Sequence, residues 1–302
     1  MKPDAANFAA AIVLAALLAA AGPAPAQETG WRPFISVTPA YEGAGDLDGG
    51  GDFSARRAIV RGGMARPLEG GNSIAVTLNY DYADYSFSNP VAFGGVAPWD
   101  VVQRYGASVA LAFALRDGWS FGVIPSVDWF KENGADTGDS LVWGGIVSAT
   151  KRFADGNRLG IGVGVFSRIE ETGALPFPIV DWRFSDRWRL INPLAAGPTG
   201  PAGLELDYVF NDDWTLGVGA AWRRVRFRLS ETGPVPGGVG EERGLPVFLR
   251  ATHRLGAQSS IHLFAGVVAA GELRVEDPSG NPLRKTEFDP APFVGATFVG
   301  RF

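Results

Sequence analysis

The sequence predicts an all-β fold: a closed, antiparallel, up-and-down transmembrane β-barrel of about 14 strands. Three observations predict it: apolar residues that alternate with small or polar ones, links that alternate between short and long, and a last strand that ends on Phe302. The chain of 302 residues contains no cysteine, which excludes disulfides, thiolate metal sites and Cys nucleophiles.

The first 26 residues have the pattern of an export signal. Lys2 precedes an apolar run over 9–21, and Ala24-Pro25-Ala26 supplies a small-x-small cleavage site. The run is too short for a spanning helix, which needs about 20 apolar residues. We therefore expect a signal peptide over 1–26 and one barrel domain over 27–302.

Alternation with a period of two recurs along the mature chain. Ile74, Val76 and Leu78, for example, alternate with small or polar residues. Because neighbouring side chains of a strand point to opposite faces, one face suits lipid and the other suits a wet interior. We predict strands near 31–41, 53–63, 73–87, 101–115, 119–131, 140–153, 158–168, 175–184, 188–194, 203–210, 214–230, 244–255, 259–273 and 290–302. The number falls to 12 if the short, Pro-bearing pair 175–184 and 188–194 is not a hairpin.

The links between these strands support the same topology. Short polar turns such as 116–118 and 211–213 alternate with longer connections rich in Gly, Pro and acidic residues. The longer ones include Glu42–Asp52, Glu231–Arg243 and Glu276–Asp289. Outer-membrane barrels have short periplasmic turns and long outer loops. Both ends of the predicted barrel then lie on the periplasmic side.

One predicted strand changes phase. Between 214 and 230 the apolar residues move from even to odd numbers. We therefore predict a β-bulge at Arg223–Arg224, which would keep Arg226 and Arg228 on the inner face.

The last eleven residues, Pro292 to Phe302, resemble the terminal β-signal of bacterial outer-membrane proteins. In that pattern an aromatic carboxy-terminal residue follows alternate apolar residues, and Val294, Ala296, Phe298 and Phe302 match it. The resemblance implies an outer-membrane location, contact with lipid and lipopolysaccharide, and recognition by the barrel assembly machinery. The stretch 178–266 is similar to predicted outer-membrane barrels grouped only as a domain of unknown function, which implies fold and location but no activity.

The sequence shows no catalytic, metal or cofactor motif. Outer-membrane acyl hydrolases use a Ser–His pair, but no Ser follows His253 or His262 at a spacing of two. The acidic segment 42–52 lacks the spacing and the bidentate Glu of a calcium loop. A net charge of −5 argues against nucleic acid as a partner. We expect no enzyme, no metal and no cofactor.

Charged residues on the inner phase are the candidate functional residues. Facing lipid at mid-depth, Arg or Lys would cost about 2–4 kcal/mol, so such side chains belong in the lumen. The predicted lumen-lining set is Asp81, Arg104, Asp128, Arg158, Arg168, Asp181, Arg183, Glu205, Asp207, Arg223, Arg226, Arg228 and Arg250. These charges could line an open pore or pair across a closed one.

Three functional hypotheses follow. The leading one is a passive, porin-like channel for small polar solutes, with its charge preference set by the inner Arg, Asp and Glu. The alternative is a structural or surface-interaction barrel with a closed lumen. The third is a lipid-modifying acyl hydrolase of the outer membrane.

Overall fold

The computed structural model describes residues 30–193 and 202–302, so the predicted signal peptide lies outside the described residues. The strands are β1 (Arg32–Asp46), β2 (Asp52–Pro67), β3 (Ser73–Ser88), β4 (Val101–Ala114), β5 (Trp119–Glu132), β6 (Leu141–Arg152), β7 (Arg158–Arg168), β8 (Glu171–Arg183), β9 (Trp188–Ile191), β10 (Ala202–Val209), β11 (Trp214–Arg228), β12 (Val239–Arg254), β13 (Ser259–Glu276), β14 (Pro282–Phe288) and β15 (Ala291–Arg301). Within these ranges no helix has the length and apolar character to cross a membrane.

The strands form one closed antiparallel sheet. Each barrel strand pairs with its neighbours in the chain, and β1 closes the ring by pairing with β15, for example Val37 with Phe298. Both β14 and β15 pair with β13, one on its loop end and one on its turn end, so together they occupy one position in the wall. The predicted closed barrel of 14 strands is confirmed, and β8 and β9 form a true hairpin.

The two ends of the barrel differ. One end, which we call the turn end, carries six short turns and both ends of the described sheet. The other, the loop end, has shorter loops than the sequence predicts, because β1 continues to Asp46, β12 begins at Val239 and 282–288 is a strand. The predicted loops Glu42–Asp52, Glu231–Arg243 and Glu276–Asp289 are therefore partly wrong.

The polarity of the wall reverses along its height. Near the turn end, apolar residues face outward; Leu78 on β3 is 65% exposed. Near the loop end, charged residues face outward, as shown by Arg56 and Asp84, which lie opposite each other on β2 and β3. Aromatic residues there face inward instead, such as Phe53, which is fully buried. The loop half of the wall thus has the polarity of a water-soluble sheet, and the turn half that of a sheet in lipid.

The predicted bulge at Arg223–Arg224 is wrong. The pairing of β11 with β12 keeps one register from Trp214 to Arg228. A register shift occurs instead between β12 and β13, where Ala270 has a positive φ of 49°. Because the bulge lies in β13, the residues after it exchange faces, and Leu273 points into the interior.

A tight turn joins β13 to β14 outside the barrel wall. The carboxylate of Asp277 accepts hydrogen bonds from the side chain and the backbone N–H of Asn281, each at 2.9 Å, and from the backbone N–H of Ser279. These donors favour the ionised form and hold the pKa of Asp277 below its usual range.

Candidate functional site in the barrel interior

Four charged side chains form a chain of ion pairs across the inner face of β2 to β5. Arg61 Nη2 donates to Asp81 Oδ2 at 3.0 Å, and Arg104 Nη1 reaches the same oxygen at 3.4 Å. Arg104 Nε donates to Asp128 Oδ1 at 2.9 Å, and its guanidinium lies 4.8 Å from the centre of the Phe130 ring. The structure thus brings together the predicted residues Asp81, Arg104 and Asp128.

A second set, the ionic cluster, consists of Glu42, Arg57, Tyr85, Arg223 and Glu242. Arg57 Nη2 lies 3.1 Å from Glu42 Oε2 and 2.7 Å from Glu242 Oε2. Arg223 Nη2 lies 2.8 Å from Glu42 Oε2 and also pairs with Glu242, to which Tyr85 Oη donates at 2.5 Å. Both glutamate side chains are almost completely buried. Since two cations face two anions, the charges balance, and the cluster joins β1, β2, β3, β11 and β12.

A third set lies on β8 to β12. The Arg189 guanidinium donates twice to Asp181, at 2.7 Å for both bonds. Arg250 Nε lies 2.8 Å from Glu205 Oε1, and Arg250 Nη2 lies 3.7 Å from Asp207 Oδ1. Asp181, Glu205, Asp207 and Arg250 were predicted to be inward, and the structure joins each of them to a partner of opposite charge.

Three predicted arginines on β7 and β8 have looser surroundings. Arg158 and Arg183 are exposed near the turn end, and neither forms an ion pair with any described residue. Arg168 lies at the loop end of β7, and its nearest carboxylate oxygen, on Glu171, is 4.0 Å away. Arg168 therefore retains unused hydrogen-bond donors inside the wall.

Arg226 and Arg228 are not on the inner phase of β11. Because that strand has no bulge, they share the outer phase with Trp222, and Phe227 takes the inner phase. Connections between strands cover both arginines: Arg226 Nε donates to the carbonyl of Ile169 at 2.6 Å, and Arg228 Nε donates to the carbonyl of Asp139 at 3.1 Å. The prediction that they lie on the inner face is wrong. They bind the connections at the loop end instead.

An apolar plug fills the loop half of the interior. It is defined by the buried side chains Phe53, Phe93, Trp99, Phe227 and Phe288. Trp99 packs edge-on against Phe227 with ring centres 5.2 Å apart, and it is 2% exposed. Phe93 and Trp99 belong to the β3–β4 connection, which folds into the mouth, so a loop supplies part of the plug.

Cavities also lie in the interior. The turn-end cavity, of about 660 Å³, is lined by polar residues that include Arg61, Thr77 and Asn79 and by apolar ones that include Phe34 and Val299. A neighbouring cavity of about 410 Å³ shares Arg32 and Ala65 with it. The central cavity, of about 290 Å³, lies beside the ionic cluster and shares Arg61 with the turn-end cavity. Cavities with mixed polar and apolar linings thus lie between the turn end and the plug.

Neither histidine completes a catalytic triad. His262 Nε2 lies 2.8 Å from the hydroxyl of Ser260. Sequence reasoning considered only a serine that follows the histidine, whereas Ser260 precedes it. Its Nδ1 is bound by the Thr252 hydroxyl at 2.8 Å rather than by an acid, so the group that would orient a base is a neutral hydroxyl. Among the described residues no group of three or more His, Asp or Glu is placed to hold a metal ion.

Comparisons with known proteins bear on the fold. No protein-family model and no curated protein matches the sequence, so the resemblance of 178–266 to an uncharacterised family stays a prediction. Among solved structures, the COG4313 outer membrane channel from Pseudomonas putida F1 is similar over 93% of this chain and 100% of that one, with a TM-score of 0.50 at 9% identity. The chain has an outer-membrane β-barrel fold.

Two further solved barrels cover most of this outer-membrane barrel. The P. putida toluene transporter TodX has a TM-score of 0.44 at 10% identity and covers 92% of this chain and 91% of its own. The translocator domain of autotransporter NalP from Neisseria meningitidis has a TM-score of 0.38 at 13% identity and covers 97% of both chains.

Sequence reasoning missed five charged members of the inner charge sets, one of which is Arg189 on β9. Glu42 and Glu242 lie in segments that their Gly and acidic content marks as loops, whereas both are in strands. Arg57 and Arg61 share the inner phase of β2 with Phe53, but Arg56 beside Arg57 and alanines on both faces hide the alternation. Assigning every second residue from Phe53 onward to the inner face would have placed both arginines there.

The predicted assembly residues lie at even positions on β15 and at Phe302, directly after it. Val294 is exposed on the outer face, and Ala296, Phe298 and Phe302 follow at even numbers, while Thr297 is buried inside. The pattern of the resemblance is therefore present on the lipid side of the strand that closes the ring. Recognition by the assembly machinery stays a prediction.

Proposed function

We propose that the protein is an outer-membrane channel for small polar solutes, shown here with its loop end closed. The observation that carries the proposal is the turn-end cavity of about 660 Å³, which has Arg61, Thr77 and Asn79 in its lining and shares Arg61 with the central cavity. A closed wall of 14 strands leaves room for water unless loops or side chains fill it. The turn end corresponds to the periplasmic side in barrels of this class.

A second candidate function is a structural or surface-interaction barrel with a permanently closed lumen. The apolar plug supports it, because Phe53, Phe227 and Phe288 come from the wall itself and not from a loop. The two candidates differ in one respect: a channel requires that the loop-borne part of the plug, Phe93 and Trp99, can leave the mouth.

Planar-bilayer recordings of the refolded full chain test the choice. We expect rare conductance steps for the wild type and frequent ones for Trp99→Ala, because that substitution removes the central ring of the plug. Val96→Ala is the matched control, since Val96 lies on the same connection but is 56% exposed. Heat-modifiable migration on gels verifies that each variant is folded.

Liposome swelling with a small neutral sugar supplies the solute readout. Folded Trp99→Ala protein that gives neither conductance steps nor swelling would overturn the channel and leave the closed barrel. Swelling that Trp99→Ala accelerates and Val96→Ala leaves unchanged would support the proposal.

A further inference from the structure

The central cavity has an unusual charge distribution. Five arginines of the inner phase line it, namely Arg57, Arg61, Arg104, Arg168 and Arg223, against a single lining carboxylate, Asp81. The acids that pair with Arg57, Arg104 and Arg223 are almost completely buried and do not line the cavity. Guanidinium groups therefore outnumber carboxylates in the lining of the cavity.

Two of these arginines have hydrogen-bond donors without acceptors. Arg168 donates no hydrogen bond to the described residues, and its nearest carboxylate oxygen is 4.0 Å away. Arg223, whose side chain is only 9% exposed, has a buried Nε–H without a partner. For Arg223, burying a donor without an acceptor is costly, and the cost is larger for charged groups. The Arg168 side chain is 22% exposed and lines the cavity, so its donors are accessible to a ligand. An anionic ligand would supply the missing acceptors.

The cavity also has an apolar surface between and beside its arginines. Ile59, Phe130, Leu175 and Val225 contribute to it. A simple inorganic anion would leave this surface without a partner, whereas an organic anion would cover it. At about 290 Å³ the cavity is at the lower end of the range of small-molecule sites.

We propose that the central cavity binds small amphipathic monocarboxylates, with the carboxylate on Arg168 and Arg223 and an aromatic or short aliphatic part against Ile59, Phe130 and Leu175. A guanidinium binds a carboxylate through two parallel hydrogen bonds, and Arg stays charged in a confined interior. This inference adds a ligand class to the proposed channel. Passage of the ligand through the barrel rests on the proposed function, whereas its binding in the cavity does not.

Access to the cavity passes one ion pair. Arg61 lines both the turn-end cavity and the central cavity, and it is held by Asp81. A carboxylate that arrives from the turn end meets Arg61 first and then the free donors of Arg168. The pair Arg61–Asp81 thus stands between the two cavities.

Calorimetric titration of the refolded full chain in detergent micelles tests the proposal. The probes are benzoate, benzyl alcohol of the same ring and similar size, and inorganic phosphate. We expect benzoate to bind at least about tenfold more tightly than the other two, because only benzoate satisfies both the guanidinium donors and the apolar surface. Equal binding of benzoate and benzyl alcohol, or of benzoate and phosphate, would overturn the inference.

Variants locate the binding. Arg168→Gln removes the charge and should weaken benzoate at least about tenfold, while Arg168→Lys should restore part of the affinity. Arg56→Gln is the matched control, because Arg56 is the exposed neighbour of Arg57 on the outer face. If Arg168→Gln fails to fold, the comparison of benzoate with benzyl alcohol on the wild type still decides.

The result is separable from the channel test. A barrel that conducts but binds benzoate no better than benzyl alcohol disproves this inference alone. One that binds benzoate through Arg168 but never conducts disproves the channel alone.

Discussion

Glu242 is the residue on which the buried charges of the interior depend. Its carboxylate receives hydrogen bonds from Arg57, Arg223 and Tyr85, and its side chain is fully buried. Removing one partner of a buried ion pair destabilises the fold more than replacing the whole pair by apolar residues. The reason is that the remaining charge stays buried without a partner.

We expect Glu242→Gln to lower the free energy of unfolding by about 3–5 kcal/mol. The substitution removes one of the two anions that neutralise Arg57 and Arg223, and water cannot replace it because the site is buried. Guanidinium unfolding of the refolded barrel in detergent micelles measures the loss. The matched control is Glu287→Gln, whose side chain is 66% exposed in a 3.8 Å pair with Lys285. Its expected effect is about 0–1 kcal/mol. Equal effects of the two substitutions would contradict the importance of the ionic cluster.

The strands show how far sequence reasoning extends. Alternation located all 14 wall positions, because lipid on one face and polar space on the other impose a period of two. It misplaced the loop ends of β1, β12 and β13, because strands beyond the membrane carry the charged and Gly-rich composition of loops. Val225 and Phe227 seemed to require a bulge because an apolar residue was assumed to face lipid; both face the interior.

The true bulge, in β13, offers a test at the level of the strand. Ala270 has a φ of 49°, a left-handed conformation that costs a residue with a Cβ about 1–2 kcal/mol. Ala270→Gly should raise the free energy of unfolding by about 0.5–1 kcal/mol. Ala269→Gly, next to it but at negative φ, should lower it by a similar amount. The midpoint of guanidinium unfolding reports both, and two changes of the same sign would argue against the bulge.

On the scale of the molecule, the reversal of wall polarity defines where the membrane ends. The outward residues of β3 include Leu78 near the turn end and Ser86 near the loop end, on the same phase and both exposed. The first belongs to the apolar surface and the second to the charged one. Since the chain has no cysteine, a single introduced thiol can report on each position.

We expect Ser86→Cys to react with a membrane-impermeant maleimide on intact cells and Leu78→Cys to remain unlabelled. A thiol reacts as the thiolate, which forms in water and not in the hydrocarbon of a bilayer. Labelling of the unfolded protein in detergent provides the reference for complete reaction. If both thiols react at the same rate in cells, the loop half does not project beyond the membrane as the reversal implies.

The pairing of β1 with β15 also sets the order of events in folding. The hydroxyls of Thr38 and Thr297, which lie 2.7 Å apart across this junction, are separated by 259 residues of chain. Joining such distant segments requires the chain entropy of nearly the whole molecule to be lost before the contact stabilises anything. Hairpins between neighbouring strands can form as soon as each is available. The pairing of β1 with β15 can form only when the final residues are available. Until then the nascent sheet has two unpaired edges.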